Sequence, residues 1–399
     1  MDPVSPLPAI AALLVALSTA YLIVNKFGAP SVQGRFASID GLRGYLAFFV
    51  FLHHSCIWYF YLRTGRWEVP PSNLYTHFGQ SSVALFFMIT GFLFFSKLID
   101  GRTKNIDWGK LFISRFLRLV PLYLFLMLLL FLLVAILSKG IVNVPTYKLM
   151  KAIIPWLGFT ILGTPSLNGI GEATLNTIAG VTWSLPYEWF FYFSLPLLAL
   201  VVRVTPPIPY IILGIVSIVG LVIWQPQIYH LISFLGGIAA SFLVRSDLFR
   251  YFAANRLSSF VSLGCVTIAV AAFPSAYGIG PLFLLSLAFA LIAGGNSMFG
   301  VLCSPVSRSL GEIAYSIYLL HSVTLFIAFT FVLGVTESKA LSPISHWLLV
   351  VGITPILISI SLITFRFIER PAMQSTNALT TWLHSRAYAL PPQNGSDLK

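Results

Sequence analysis

Ser38-Ile39-Asp40-Gly41-Leu42-Arg43-Gly44-Tyr45, then the unbroken apolar run Leu46–Leu52, then His53-His54, is the stretch on which the reading of this chain turns. Eleven positions separate Arg43 from His54, about three helical turns, so the two side chains share one helix face. The rise places His54 roughly 16 Å beyond Arg43, near the middle of a bilayer if Arg43 marks its edge. An ionisable residue at that depth is costly and marks a functional site by default. The plainer account is a neutral histidine hydrogen-bonded to a neighbouring helix.

The rest of the chain fits a membrane setting. Of its 399 residues, 57% are hydrophobic and only 9% charged, against about 25% charged in soluble domains. This excludes an ordinary soluble enzyme and predicts an all-α polytopic bundle, since lipid tolerates only helices and closed barrels. The net charge of +12 reflects basic inner loops rather than nucleic-acid binding, because no basic run is interleaved with exposed aromatics. Cys56, Cys265 and Cys303 are scattered, and no Cys/His cluster points to a metal or a disulfide framework.

Apolar segments long enough to span fall near 8–24, 44–62, 80–96, 119–138, 182–202, 208–224, 229–244, 257–273, 279–294, 313–333 and 346–365. This predicts about ten transmembrane helices plus one extra N-terminal helix. The first segment has no Lys or Arg before it, which favours a retained helix over a signal peptide. Residues 149–163, broken by Pro155, read as a re-entrant or interfacial piece. Three regions result: 1–34 as an extra helix and linker, 35–372 as the membrane domain, and 373–399 as a mobile, polar cytoplasmic tail.

Loop charges set the orientation. With the 97–118 loop inside, 18 of the 24 Lys and Arg residues are cytoplasmic, Arg35, Arg386 and Lys399 among them. Arg63, Arg66, Lys139, Lys148, Lys151 and Lys339 are outside. This bias fixes the C-terminus as cytoplasmic.

Four further clusters carry chemistry. Arg115 and Arg118, in Arg115-Phe116-Leu117-Arg118, are three apart at a cytoplasmic helix start and suit bidentate phosphate binding, though inner-face anchoring also explains them. In Thr182-Trp183-Ser184-Leu185-Pro186-Tyr187-Glu188-Trp189, Glu188 is a carboxylate among aromatics, a plausible proton acceptor. An interfacial belt accounts for the aromatics but not for the acid. In this topology Glu188 falls toward the outer face, opposite Arg115 and Arg118. His321 ends Gly311–His321, where Tyr315, Ser316 and Tyr318 could line a polar track or glue the bundle. Glu369, before Arg370-Pro371, is read as the partner of an inner arginine.

Together the DGLRG…H opening at 40–54, FFMITGFL at 86–93, RFLRLVP at 115–121, TWSLPYEWFFY at 182–192, GEIAYSIYLLH at 311–321 and FRFIERP at 365–371 resemble the acyltransferase-3 family of integral membrane acyltransferases. Thr90 stands where Ser is commoner in that family, and the helix at 8–24 is additional. The resemblance implies a bacterial cytoplasmic-membrane enzyme moving an acyl group, acetyl foremost, from cytoplasmic acyl-CoA to a hydroxyl of a carbohydrate or glycoconjugate. It implies acyl-CoA as co-substrate and no permanently bound cofactor. The family's Arg-x10-His motif falls on Arg43 and His54, its Arg-x-x-Arg on Arg115 and Arg118, and its acid on Glu188. His54 would be the base or the acyl carrier, and Arg43 would support the inner end of a tunnel. Tyr187, Trp183, Ser316, Tyr318 and His321 would line the path of the substrates. Some relatives carry a soluble hydrolase-like domain after the bundle; here that step would be absent or would fall to a separate extracytoplasmic partner. The rival class is a secondary transporter or channel with a buried His/Arg/Glu pathway, disfavoured by the lack of detectable internal repeats and paired broken helices.

Overall fold

A computed structural model describes residues 2–29 and 36–388, apart from the side chains of 386–388. Arg35, Arg386 and Lys399, counted above as inner charges, and the boundary at residue 34 lie outside what it describes.

Within those residues the chain forms α1 (Pro6–Phe27), α2 (Ala37–Thr64), α3 (Asn73–Asp100), α4 (Trp108–Leu137), α5 (Thr146–Leu157) and α6 (Glu172–Ala179). It continues with α7 (Leu185–Val201), α8 (Ile208–Trp224), α9 (Ile228–Leu243), α10 (Asp247–Ala254), α11 (Arg256–Ala272) and α12 (Ile279–Ala293). Then come α13 (Pro305–Glu312), α14 (Ala314–Ile327), α15 (Val335–Ala340), α16 (Pro343–Thr364), α17 (Arg370–Gln374) and α18 (Thr376–Tyr388). Local chemistry fixes many ends. Ser72 and Asp107 accept from the backbone N–H groups of Tyr75 and Lys110, satisfying orphan donors of the first turn. Gly65 closes α2 in the left-handed conformation at φ 72°.

Among the described residues, seven helical runs are long and apolar enough to cross a membrane, or eight if the α9–α10 pair, bent by 107°, counts as one. The shorter apolar helices α8, α11 and α12 complete a match to all eleven segments expected from hydropathy. At 15–17 residues these three are only about 23–26 Å long, less than a typical hydrocarbon core. The expected count of ten plus one therefore overstates the long spans. Two spans start much earlier than their apolar cores suggest. The run holding α6, a 3₁₀ turn (Gly180–Ser184) and α7 begins at Glu172, and α4 begins at Trp108. The 149–163 region yields the 12-residue α5, with Tyr147, Met150, Ile154 and Leu157 exposed. Within the tail expected over 373–399, residues 376–388 form α18, packed against α4.

Helix α3 sits centrally, against α2, α7, α9 and α12. With little hydrophobic drive between helices in lipid, close approach relies on small residues. A Cβ on Gly237 of α9 would lie 1.9 Å from the Met88 carbonyl oxygen of α3. Where α2 meets α13 and the 3₁₀ turn before it (Val301–Cys303), Cβ atoms on Gly41 and Gly311 would lie 1.9 and 1.8 Å from the carbonyl oxygens of Leu302 and Asp40. Gly41 of the DGLRG opening and Gly311 of α13 thus bring two backbones into contact. Helix α1 lays Ala9, Ala12, Ala16 and Ala20 inward and packs against α16. Its start is held by hydrogen bonds from Tyr75 to Ser5 O (2.7 Å) and from Trp347 to Pro3 O (2.9 Å).

Candidate active site

The α2 register carries Arg43 near the start of its helix and His54 three turns further on, as its spacing requires. Arg43 opens onto a cavity of about 280 Å³ between α2, α3, α4, α7 and α14. Its wall includes Arg43, Arg115, Arg118, Glu188, Tyr192 and Tyr318, with Phe86, Phe87, Thr90 and Phe94 from α3. The volume lies near the lower end of the usual range for ligand pockets.

Arg115 donates from Nε to Ser114 Oγ (3.4 Å) and holds its guanidinium 5.0 Å above the Phe94 ring. Arg118 donates from Nη1 to the Met373 sulfur (3.1 Å), and its buried Nη2 has no hydrogen-bond partner among the described residues. Spare donors on a planar fork are what an oxyanion ligand would use. Across the cavity, Tyr192 Oη donates to Glu188 Oε2 (3.1 Å), one turn along α7. Arg43, Arg115 and Arg118 all act electrostatically on Glu188.

This placement corrects one expectation. Glu188 does not face the arginines from the opposite side; it shares their cavity. The reason lies in the spans. Glu188 is sixteen residues into a run that begins at Glu172, and Arg115 and Arg118 are seven and ten residues into one that begins at Trp108. The two sets therefore overlap in depth.

His54 is not part of the cavity wall and connects to it through His321 and the wall residue Tyr318. The Tyr318 and His321 rings are 6.2 Å apart, and the His321 and His54 rings stack at 4.9 Å. His321 Nε2 and His54 Nδ1 are 2.9 Å apart. Trp67, from the loop after α2, stacks on His54 at 6.0 Å. His53 points elsewhere: its Nδ1 donates to Tyr75 O (2.7 Å), and its ring sits where a Cβ on Gly79 would be.

The remaining expected residues are dispersed. Tyr318 lines the cavity and bonds Ser184 Oγ (2.8 Å). Ser316 is buried and donates to Glu369, so Glu369 takes a serine rather than an arginine as its hydrogen-bond partner. Trp183 and Tyr187 do not line the cavity. They pack with Phe87 and Tyr277 around His230, their ring centroids 4.9 and 4.7 Å from the imidazole. His230 gave no signal in sequence because it is the third residue of α9, at the end of its apolar segment, where a polar side chain is unremarkable. The link between His54 and His321 crosses 267 positions, which no local pattern encodes. Among the described residues no three His, Cys, Asp or Glu side chains group as a metal site.

An arginine-lined cavity leading to a histidine pair inside a helical bundle narrows the possibilities, and comparison with known families decides between them. A family model described as an acyltransferase domain, Acyl_transf_3, matches residues 36–366. The chain belongs to the acyltransferase-3 family. No curated protein and no solved structure matches it. All the cavity arginines, Glu188 and both members of the histidine pair fall inside the acyltransferase-3 match, whereas α1 precedes it. The chain is thus an integral membrane acyltransferase with an additional helix docked on α16.

Proposed function

We propose that this acyltransferase takes its acyl group from acyl-CoA and passes it to a hydroxyl of a carbohydrate or glycoconjugate. The observation that supports this best is the cavity in which three arginines converge and whose wall residue Tyr318 packs beside the histidine pair. Arg43, Arg115 and Arg118 offer the donor phosphates charge and planar forks. The cavity holds only part of a CoA, so the nucleotide end would extend toward the cytoplasm and the thioester arm toward Tyr318. His54 would take the proton of the attacking hydroxyl. The alkoxide oxygen bonds to the thioester carbonyl, the C–S bond breaks, and the CoA thiolate leaves to be protonated as free thiol. Acetyl is the proposed acyl group, and the acceptor would reach His54 from the outer side, past Trp67.

The test is CoA-thiol release by purified protein in nanodiscs given acetyl-CoA and a panel of glycosides. Arg115→Lys and Arg118→Lys keep the charge but lose the fork, and each should weaken CoA binding by about tenfold. His54→Ala should abolish transfer while leaving CoA binding intact. Wild-type CoA affinity in both arginine variants would place the donor elsewhere.

A further inference from the structure

The histidine pair is more specific than two imidazoles in contact. His321 is fully buried, and its Nδ1 lies 3.1 Å from the carbonyl oxygen of Ile317, one turn earlier in α14. A carbonyl can only accept, so His321 Nδ1 carries the hydrogen. A neutral imidazole has one N–H, which leaves a lone pair on His321 Nε2. That lone pair faces His54 Nδ1 at 2.9 Å, so His54 Nδ1 must be the donor. The same Nδ1 lies 3.1 Å from the Val50 carbonyl oxygen, again an acceptor. The reverse assignment would set lone pairs against both carbonyls. Two α-helical carbonyls thus orient two hydrogens in series, and the free lone pair emerges at His54 Nε2.

We infer that His321 is a positioning residue that shares the His54 Nδ1 hydrogen with the Val50 carbonyl and so holds the ring with Nε2 unprotonated and ready to take a proton. This rests on the proposed role of His54 at the reacting centre. When Nε2 takes the proton of the acceptor hydroxyl, His54 becomes an imidazolium whose Nδ1–H still points at a neutral acceptor. The hydrogen bond becomes charge-assisted and strengthens as the charge forms. A buried carboxylate in place of His321 would carry a standing charge through the rest of the cycle; a neutral imidazole does not. The other titratable groups facing the pair are His53, in edge contact with His54 at 5.0 Å, and Tyr318 beside His321.

Two substitutions separate this role from packing. His321→Gln can place an amide oxygen where Nε2 stood and so keeps an acceptor for His54. His321→Phe keeps the ring and loses the acceptor. With CoA affinity within about twofold of wild type as the check on folding, His321→Phe should lose at least about tenfold in kcat, and His321→Gln should retain most of it. If His321→Phe turns over as fast as His321→Gln, His321 only packs and the inference is overturned. Imidazole ¹⁵N resonances of the unmodified protein give a second readout that no folding defect can confuse. Both histidines should be protonated at Nδ1, and a hydrogen on His54 Nε2 in the resting enzyme would refute the assignment. Wild-type turnover in His54→Ala would instead sink the underlying reading. Loss in His54→Ala with full activity in His321→Phe would sink the positioning role alone.

Discussion

A guanidinium away from bulk water needs a counter-charge, and the cavity wall sets three of them against one carboxylate, Glu188. Removing one partner from a partly buried charged group costs more than the pair itself contributes. Glu188→Gln should therefore destabilise the ligand-free protein by about 1–3 kcal/mol. If CoA docks on these arginines as proposed, saturating CoA should restore most of the loss by supplying the missing negative charge. Thermal unfolding in nanodiscs with and without CoA measures this, and equal losses in both conditions would count against it. At this scale the sequence was informative about residue type. An arginine, a histidine and a carboxylate stood out against an apolar background because each is expensive there. It was silent on which of them meet. Tyr192 could be paired with Glu188 from their four-residue spacing, but His54 with His321 could not.

Between elements, the decisive contacts are backbone against backbone. At Gly41 and Gly311 an added methyl would overlap a carbonyl oxygen of the facing segment, and neither backbone is a flexible tip that can swing away. Gly311→Ala should cost about 1–3 kcal/mol, with loss of activity as Arg43 shifts with α2. Gly352→Ala on α16 and Gly264→Ala on α11 meet nothing within 4 Å and should be neutral or slightly stabilising. Melting temperatures of the three variants decide the matter; comparable losses in all three would show that helix propensity, not the crossing, sets the effect. Hydropathy located the apolar centre of every span. It missed their polar ends, because Glu172–Ser184 and Trp108–Arg118 mix charge and small polar groups with the apolar residues. That error moved Glu188 to the wrong depth relative to Arg115 and Arg118.

For the whole molecule, the orientation rests on loop charge. Helix α4 is about 45 Å long at 30 residues, more than enough to separate its ends across a bilayer. Exposed Thr103, before α4, and exposed Ser166, in the loop before α6, should then lie on opposite sides. In a background lacking Cys56, Cys265 and Cys303, Ser166→Cys should react with an impermeant thiol reagent in intact cells and Thr103→Cys should not. Labelling of both would reject the orientation, and with it approach of donor and acceptor from opposite faces. The link between α2 and α14 has a consequence for biosynthesis. His54 is inserted early, yet its partner His321 and the glycine crossing at Gly311 belong to the last quarter of the chain. During translation Arg43 and His54 must wait, without their final neighbours, while more than 250 further residues emerge. The first helices should therefore remain loosely held and protease-sensitive until α14 arrives. Pulse-labelled chains arrested before residue 300 should show cleavage near 65–72, and chains extended past residue 330 should not. The ribosome, on this account, finishes the enzyme's centre almost last.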